Sequence, residues 1–180
     1  MKNTEITIQN KFIKLLDRYK IDEIDVNMIC KSLGIKRQTF YYHYKNIYDL
    51  IYSIFYKKRL EASNPLKFEL IVSDAIDFIF SDEVFYREVA ASNARDILSG
   101  FITSFLFKSF FMYLDQYKLD SIKRKDIAHY MADSISQEII YYYAEEPDMN
   151  AQEIKIRMLC FMDPAIISRI IEKYNENVKV

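Results

Sequence analysis

Only two glycines and three prolines punctuate 180 residues, and between them the apolar side chains recur at spacings of three and four far more often than at two. A helix buries one stripe at that period, whereas a strand alternates. A chain so poor in turn formers and so regular in its stripe predicts an all-α fold. The stretch ITIQNKFIKLLDRY sets Ile8, Phe12, Leu15, Leu16 and Tyr19 along one side of a first helix. DVNMICKSL follows, with Asp25 as its N-cap and Ile29 and Leu33 on one side. Gly34 then supplies a tight turn before a third helix over about Arg37 to Tyr44. A fourth runs from Ile47 towards Leu60 with Leu50, Ile51, Ile54 and Phe55 inward. Longer helices are predicted over about Leu66 to Phe80, Val84 to Ala91, Arg95 to Tyr117, Lys123 to Tyr143 and Ala151 to Tyr174. The Asn64-Pro65 step is the natural break, dividing the chain into domains at 1–60 and 61–180.

Half of the residues are hydrophobic, enough for a folded core. The first twenty residues have neither the apolar run nor the small-residue cleavage site of a signal peptide, and later apolar runs fall short of the about 18 residues a spanning helix needs. A cytoplasmic protein with no membrane partner is the expectation. Cys30 and Cys160 lie far apart in apolar helical patterns, which reads as two buried thiols rather than a disulfide framework. The net charge of −1 hides an asymmetry: residues 1 to 60 carry twelve Lys or Arg against six Asp or Glu, and the remainder thirteen against twenty. The N-terminal part therefore suits a polyanion and the rest does not.

The chemistry concentrates in SLGIKRQTFYYHYKN, Ser32 to Asn46. Two helices joined by a short turn containing glycine, the second loaded with reaching side chains, describe a helix-turn-helix unit. At 100° per residue, Phe40 and Tyr44 share the side that packs on the first two helices, and Gln38 and Tyr42 point the opposite way. Thr39 and Tyr41 flank that outward pair, with Arg37 and His43 at the edges. A helix lying in a DNA major groove needs this layout, because its outermost side chains meet base edges and its flanking ones meet phosphates. In such a groove Gln38 can pair bidentately with adenine and Tyr42 can lie against a thymine methyl group. Thr39, Tyr41 and His43 donate to phosphate oxygens, and Lys36, Arg37 and Lys45 supply charge. The competing view is that the tyrosines pack between helices; it suits Tyr44 and part of Tyr41, and fits Tyr42 poorly.

MICKSLGIKRQTFYYHYKNIYDL resembles the DNA-binding signature of the TetR (tetracycline repressor) family of bacterial transcriptional regulators. The resemblance covers about the first 60 residues by motif and the later helices by architecture. It implies an N-terminal helix-turn-helix domain followed by a larger helical ligand-binding and dimerisation domain, in a homodimer that binds an operator and is released by a small molecule. By the same resemblance Gly34 is the turn glycine, Phe40 and Tyr44 are core positions, and Tyr41 and His43 touch phosphate. Arg37, Gln38, Thr39 and Tyr42 read bases or adjacent backbone, and Asn27 makes a further DNA contact. Two positions depart from the pattern: Ile47 stands where many members carry lysine, and Asp25 replaces a frequent Thr or Ser cap. Both remove favourable interactions with DNA, which keeps open a second function, that of a coactivator or adaptor working through a protein partner.

A single helix-turn-helix arm makes few contacts, so specific binding calls for a symmetric dimer. The segments about 123–143 and 151–174 are apolar over a broad arc, with Ile135, Ile139, Ile140, Tyr142 and Tyr143 set to meet Met158, Phe161, Met162, Ile166, Ile167 and Ile170. The competing view is that the same faces only close the protomer's own core. The middle helices are rich in phenylalanine, and the resemblance implies a cavity among them for an apolar or aromatic effector, with Phe78, Phe101 and Phe105 as lining and Arg95, Ser104, Ser109 and Tyr113 as orienting groups. SISQEIIYYYAEEPDMNAQEI is also similar to the C-terminal domain of the subgroup that includes the dihydroxyacetone kinase regulator DhaS, which implies a protein partner or a metal as the alternative to a small ligand. Asp126, His129 and Asp133 share a helical face, yet with one histidine in this half they read as a solvated surface, and no metal or other cofactor is expected. No glycine-rich phosphate loop, Cys/His pairing or clustered acid and base marks an enzyme.

Overall fold

The computed structural model describes residues 2–58, 60–161 and 164–177, which form helices and no strand. In chain order these are α1 (Lys2–Leu15), α2 (Val26–Leu33), α3 (Arg37–His43), α4 (Ile47–Lys57), α5 (Phe68–Phe80), α6 (Glu83–Ala90), α7 (Arg95–Tyr113), α8 (Ser121–Glu145), α9 (Ala151–Phe161) and α10 (Pro164–Asn177), with single 3-10 turns at Ile21–Glu23 and Leu114–Gln116. The all-α expectation stands, with three local corrections. The first helix ends at Leu15, so Tyr19 leaves the stripe and lies exposed. The helix predicted over Ala151 to Tyr174 is two helices, and Pro164 opens the second, where its missing N–H has no intrahelical partner to lose. Cys160 is exposed, whereas Cys30 is buried; burial pushes the Cys30 thiol above its ordinary value.

The chain forms two compact units, one of Met1–Arg59 with Asp82–Phe101 and one of Leu60–Ser81 with Ile102–Val180. In the first, Ile8 and Phe12 of α1, Ile29 of α2, Phe40 of α3 and Leu50 and Ile51 of α4 are fully enclosed. A second nucleus surrounds Phe55 near the end of α4, whose ring lies 5.6 Å from Phe85, 5.5 Å from Tyr86 and 5.3 Å from Phe101. The Lys58 ammonium sits 4.6 Å over the Tyr86 ring and 3.4 Å from an oxygen of Asp82. The Asn93 amide donates to the Asp22 carboxylate at 3.4 Å, so segment 82–101 is tied to the helix-turn-helix region both by packed rings and by polar contacts.

In the second unit α9 lies against α5 and α8. Tyr143 is wholly buried and its hydroxyl donates to the Ile79 carbonyl at 3.1 Å, while Lys155 pairs with Asp77 at 2.5 Å. The stripe of α7 that contains Ile102, Leu106, Phe110 and Tyr113 is buried, and so is the α8 stripe from Ala128 through Ile135 to Tyr143. One sequence expectation fails here. Arg95–Gln116, 22 residues, is long and apolar enough to cross a membrane by length and composition. It escapes a search for uninterrupted apolar runs because Lys108 and several serines are spread along it. Packing against neighbouring helices already uses its most apolar side.

Asp120 starts the longest helix, α8. Its carboxylate accepts from the amides of Lys123 at 2.9 Å and Ile122 at 3.0 Å. The Lys123 amide above all, helped by the Ile122 amide and the Lys123 ammonium, holds the carboxyl below its ordinary 3.8. A depressed acid stabilises the fold at any pH above the unfolded value and loses that contribution as pH falls through the folded one. Asp120→Ala should therefore lower the urea midpoint at neutral pH, and the gap to the wild type should narrow in acid well below 3.8.

Candidate nucleic-acid interface

The site is built on the turn between α2 and α3. Asp25 Oδ1 accepts from the Met28 amide at 2.7 Å and opens α2. At its other end Gly34 adopts φ 66°, ψ 26°. The Gly34 amide donates to Lys31 O at 3.3 Å and the Ile35 amide to Cys30 O at 3.0 Å, the two bonds of a Schellman closure. α3 then runs from Arg37 to His43. Its end is followed at once by a second polar cap, in which Asn46 accepts from the Asp49 amide at 2.9 Å and Asp49 accepts from the Lys45 amide at 2.8 Å.

Phe40 is 0% exposed and Tyr44 4%, with their rings 5.6 Å apart. Burial pushes the Tyr44 phenol above its ordinary value. Ser53 and Gln9 beside it partly offset that shift, though neither makes a hydrogen bond of normal geometry to it among the described residues. On the opposite side Gln38 is exposed and Tyr42, at 69%, is the most exposed side chain among the large apolar and aromatic residues of α3. Arg37 Nη2 donates to Tyr41 Oη at 3.1 Å, and the guanidinium carbon stands 5.7 Å from the ring centre, so the two act as one half-rigid arm. Lys36, Lys45 and Asn27 are exposed and Thr39 is half-buried. The surface thus combines three cations, an amide and two accessible phenols on one helix and its flanks.

His43, which the helical wheel sets at the edge of α3, is half-buried. Its side chain is 8% exposed and Nδ1 lies 3.6 Å from Glu5 Oε1 of α1, turned in towards a carboxylate. Sequence reasoning also passed over Tyr48 and Tyr52, both exposed and four apart on α4. A wheel drawn for α4 would have found them. Ile47 is half-buried.

The residues expected to hold an effector divide between the two compact units. Phe105, Ser109 and Tyr113 lie at four-residue spacing on the buried side of α7, Phe78 is half-buried on α5, and Ser104 is exposed. Ser104 is one position off the buried stripe. Tyr113 Oη lies 3.0 Å from Tyr117 Oη, itself 3.2 Å from Ser168 Oγ, and burial with this hydroxyl neighbour pushes the Tyr113 phenol up. Arg95 and Phe101 belong to the other compact unit. A concavity of about 390 Å³ in the second unit is lined by Asp148, Met149, Glu153, Ile156 and Arg157, none of which the sequence singled out.

The dimer seam needs a similar correction. Ile135, Ile139, Ile140, Tyr143 and Met158 are buried within the protomer, so they close its own core and offer no surface to a second copy. The side chains of Phe161, Met162, Ile166, Ile167 and Ile170 lie outside those described. α8 instead exposes Ile122, Tyr130 and Tyr141. Asp126 and Asp133 are exposed, and the His129 ring stacks on Phe107 at 4.1 Å.

No protein-family model and no curated protein matches the sequence. Among solved structures the chain is similar to the dihydroxyacetone kinase operon activator DhaS, with a TM-score of 0.58, 16% identity and coverage of 89% of this chain and 94% of that one. It is likewise similar to the fatty acid degradation regulator FadR from Bacillus halodurans, with a TM-score of 0.57, 14% identity and coverage of 86% and 94%. At such identities the shared property is the all-helical fold.

The two sides of α3 should separate cleanly in stability. Phe40→Ala empties a sealed position and should cost about 3 to 5 kcal/mol in chemical denaturation, whereas Tyr42→Ala should stay within about 0.5 kcal/mol of the wild type.

Proposed function

We propose that this protein is a dimeric regulator of transcription that reads a two-fold symmetric DNA site through α3 and is released from it by an apolar or aromatic small molecule. The carrying observation is the division of α3. Phe40 and Tyr44 anchor it in the core, while Gln38 and Tyr42 stand outward between flanking cations and phenols. A helix held by one side with hydrogen-bonding reach on the other is what major-groove reading requires. The excess of basic residues among the first 60 supplies attraction to phosphate. The fold it shares with an operon activator and a fatty acid degradation regulator supports the same reading.

In this view residues 1–60 form the DNA-binding domain and 61–180 the effector and dimerisation domain, and the protein acts in the cytoplasm. The second copy meets α8 through its exposed stripe of Ile122, Tyr130 and Tyr141. Within the second unit, Phe78, Phe105, Ser109 and Tyr113 are the effector residues on half-buried or buried positions. The protein represses where its site overlaps a promoter.

Selection from a pool of DNA duplexes randomised over two helical turns tests this directly, and the wild type should enrich a symmetric sequence. Gln38→Ala and Tyr42→Ala should each cost about 1 to 3 kcal/mol on that sequence and little on random duplex; equal losses on both would show that these side chains read no bases. Lys45→Ala should weaken both kinds of DNA alike and flatten the logarithmic salt dependence by about one unit. An unchanged slope would take Lys45 out of the phosphate contacts. Absence of any enriched sequence at moderate salt would favour the adaptor reading, to which Ile47 in a lysine's place already points.

A further inference from the structure

We infer that Glu5 of α1 is a positioning residue for the DNA-reading helix, acting through His43 on Tyr42; the inference rests on the DNA reading proposed above. The two oxygens of the Glu5 carboxylate are committed to different helices. Oε1 lies 3.6 Å from His43 Nδ1 at the end of α3, and Oε2 lies 3.5 Å from Lys57 Nζ at the end of α4. Lys57 also donates to Gln9 Oε1 at 3.1 Å, and Gln9 Nε2 donates to Ser53 Oγ at 2.9 Å. Gln9 is 7% exposed, so this polar lattice penetrates the otherwise apolar contact of α1 with α4 and gives α1 a fixed register on that helix.

What Glu5 adds is the link to α3. The His43 side chain is 8% exposed, enclosed by the helix on one side and drawn to the carboxylate on the other. Its ring meets that of Tyr42 edge to face, with centroids 5.0 Å apart and planes at 88°. Tyr42 has little else to restrain it at 69% exposure. A histidine held from behind by Glu5 therefore restrains the most exposed reading side chain, in the manner of an outer partner that orients a contacting one. The separation of 3.6 Å is too long for a direct hydrogen bond, so the contact works through the charge of the carboxylate. Lys57 shares the same carboxylate, so Glu5 stands between the ends of α3 and α4.

A simple brace between α1 and α4 would alter stability and leave sequence preference alone. A positioning residue alters preference. Two readouts separate these roles in Glu5→Ala and Glu5→Gln, the latter keeping the length and removing the charge. In the free protein, the nuclear Overhauser contact between the ring protons of Tyr42 and His43 should weaken in both variants. On DNA, the ratio of affinity for the sequence selected by the wild type over random duplex should fall roughly tenfold in both, the scale of one weakened base contact. Specific and random affinities that fall by one common factor would overturn the positioning role and leave Glu5 a brace. An unchanged Tyr42–His43 contact in Glu5→Ala would also overturn it, whatever the DNA result. A wild type that enriches no sequence would overturn the DNA reading itself, and the inference with it.

Discussion

The left-handed backbone at Gly34 is the constraint on which the outward surface of α3 depends. A Cβ built at this position meets nothing within 4 Å, so space is not the reason for glycine. The reason is φ of 66°, which costs an L-residue about 1–2 kcal/mol. That conformation lets the Gly34 and Ile35 amides close the end of α2 and turns the chain into α3 within three residues. Once α3 leaves the turn in this direction, its period does the rest. Phe40 enters the core, Tyr44 follows as the chain leaves α3, and Gln38 and Tyr42 are carried to the far side. The exposure of a large aromatic ring at Tyr42 is thus a consequence of how Phe40 is buried.

This region was legible because its signals are local. A glycine, a cap and a short apolar period reside within one stretch of sequence, and each constrains backbone geometry within a turn or two. The second unit was harder to read, for physical rather than statistical reasons. An apolar period reports which side chains avoid water and is silent on which chain covers them. Ile135, Ile139, Ile140 and Tyr143 satisfy the pattern of a dimer seam and of a protomer core equally, and burial decides for the core. The wheel likewise placed His43 at the rim of α3 but had no view of Glu5 on another helix. Pro164 was visible in the sequence, and its compatibility with the first turn of a helix made a new start there as natural as a kink. The effector residues were legible least of all, because a cavity is where packing fails and no periodicity encodes that.

The phenylalanines of the middle helices illustrate the point. Phe68 stacks on Phe110 at 5.5 Å, Phe80 meets Tyr143 at 5.0 Å, Phe107 stacks on His129, and the Arg124 guanidinium lies 4.4 Å over Phe111 while pairing with Asp115. These rings, none of them among the three named as lining, are matched with other rings or with a cation. Such pairs contribute about 0.5–1.5 kcal/mol each beyond the area they bury. On the proposed reading, an effector seated among them replaces ring contacts and must bring comparable aromatic or apolar surface, which narrows its chemistry more than the identity of any one lining residue does.

The acidic residues around the helix-turn-helix define the corresponding limit on DNA. Asp25 takes the Met28 amide at the start of α2, and Asn46 takes the Asp49 amide at the start of α4 while the Asp49 carboxylate takes that of Lys45. Helix N-termini of this kind are otherwise good seats for phosphate, because their free amides and dipole both favour an anion. Here the protein's own side chains occupy those amides, and Ile47 brings no cation to the second of the two caps. On the proposed reading, recognition by one protomer leans on Lys36, Lys45, the Arg37–Tyr41 arm and the outward pair of α3. So small a set would neutralise few phosphates, which would keep sequence-independent affinity low. Under the proposed function, occupancy of a specific site must come from two copies bound at once, and the strength of the α8 contact between them becomes as decisive for DNA binding as any residue that touches a base.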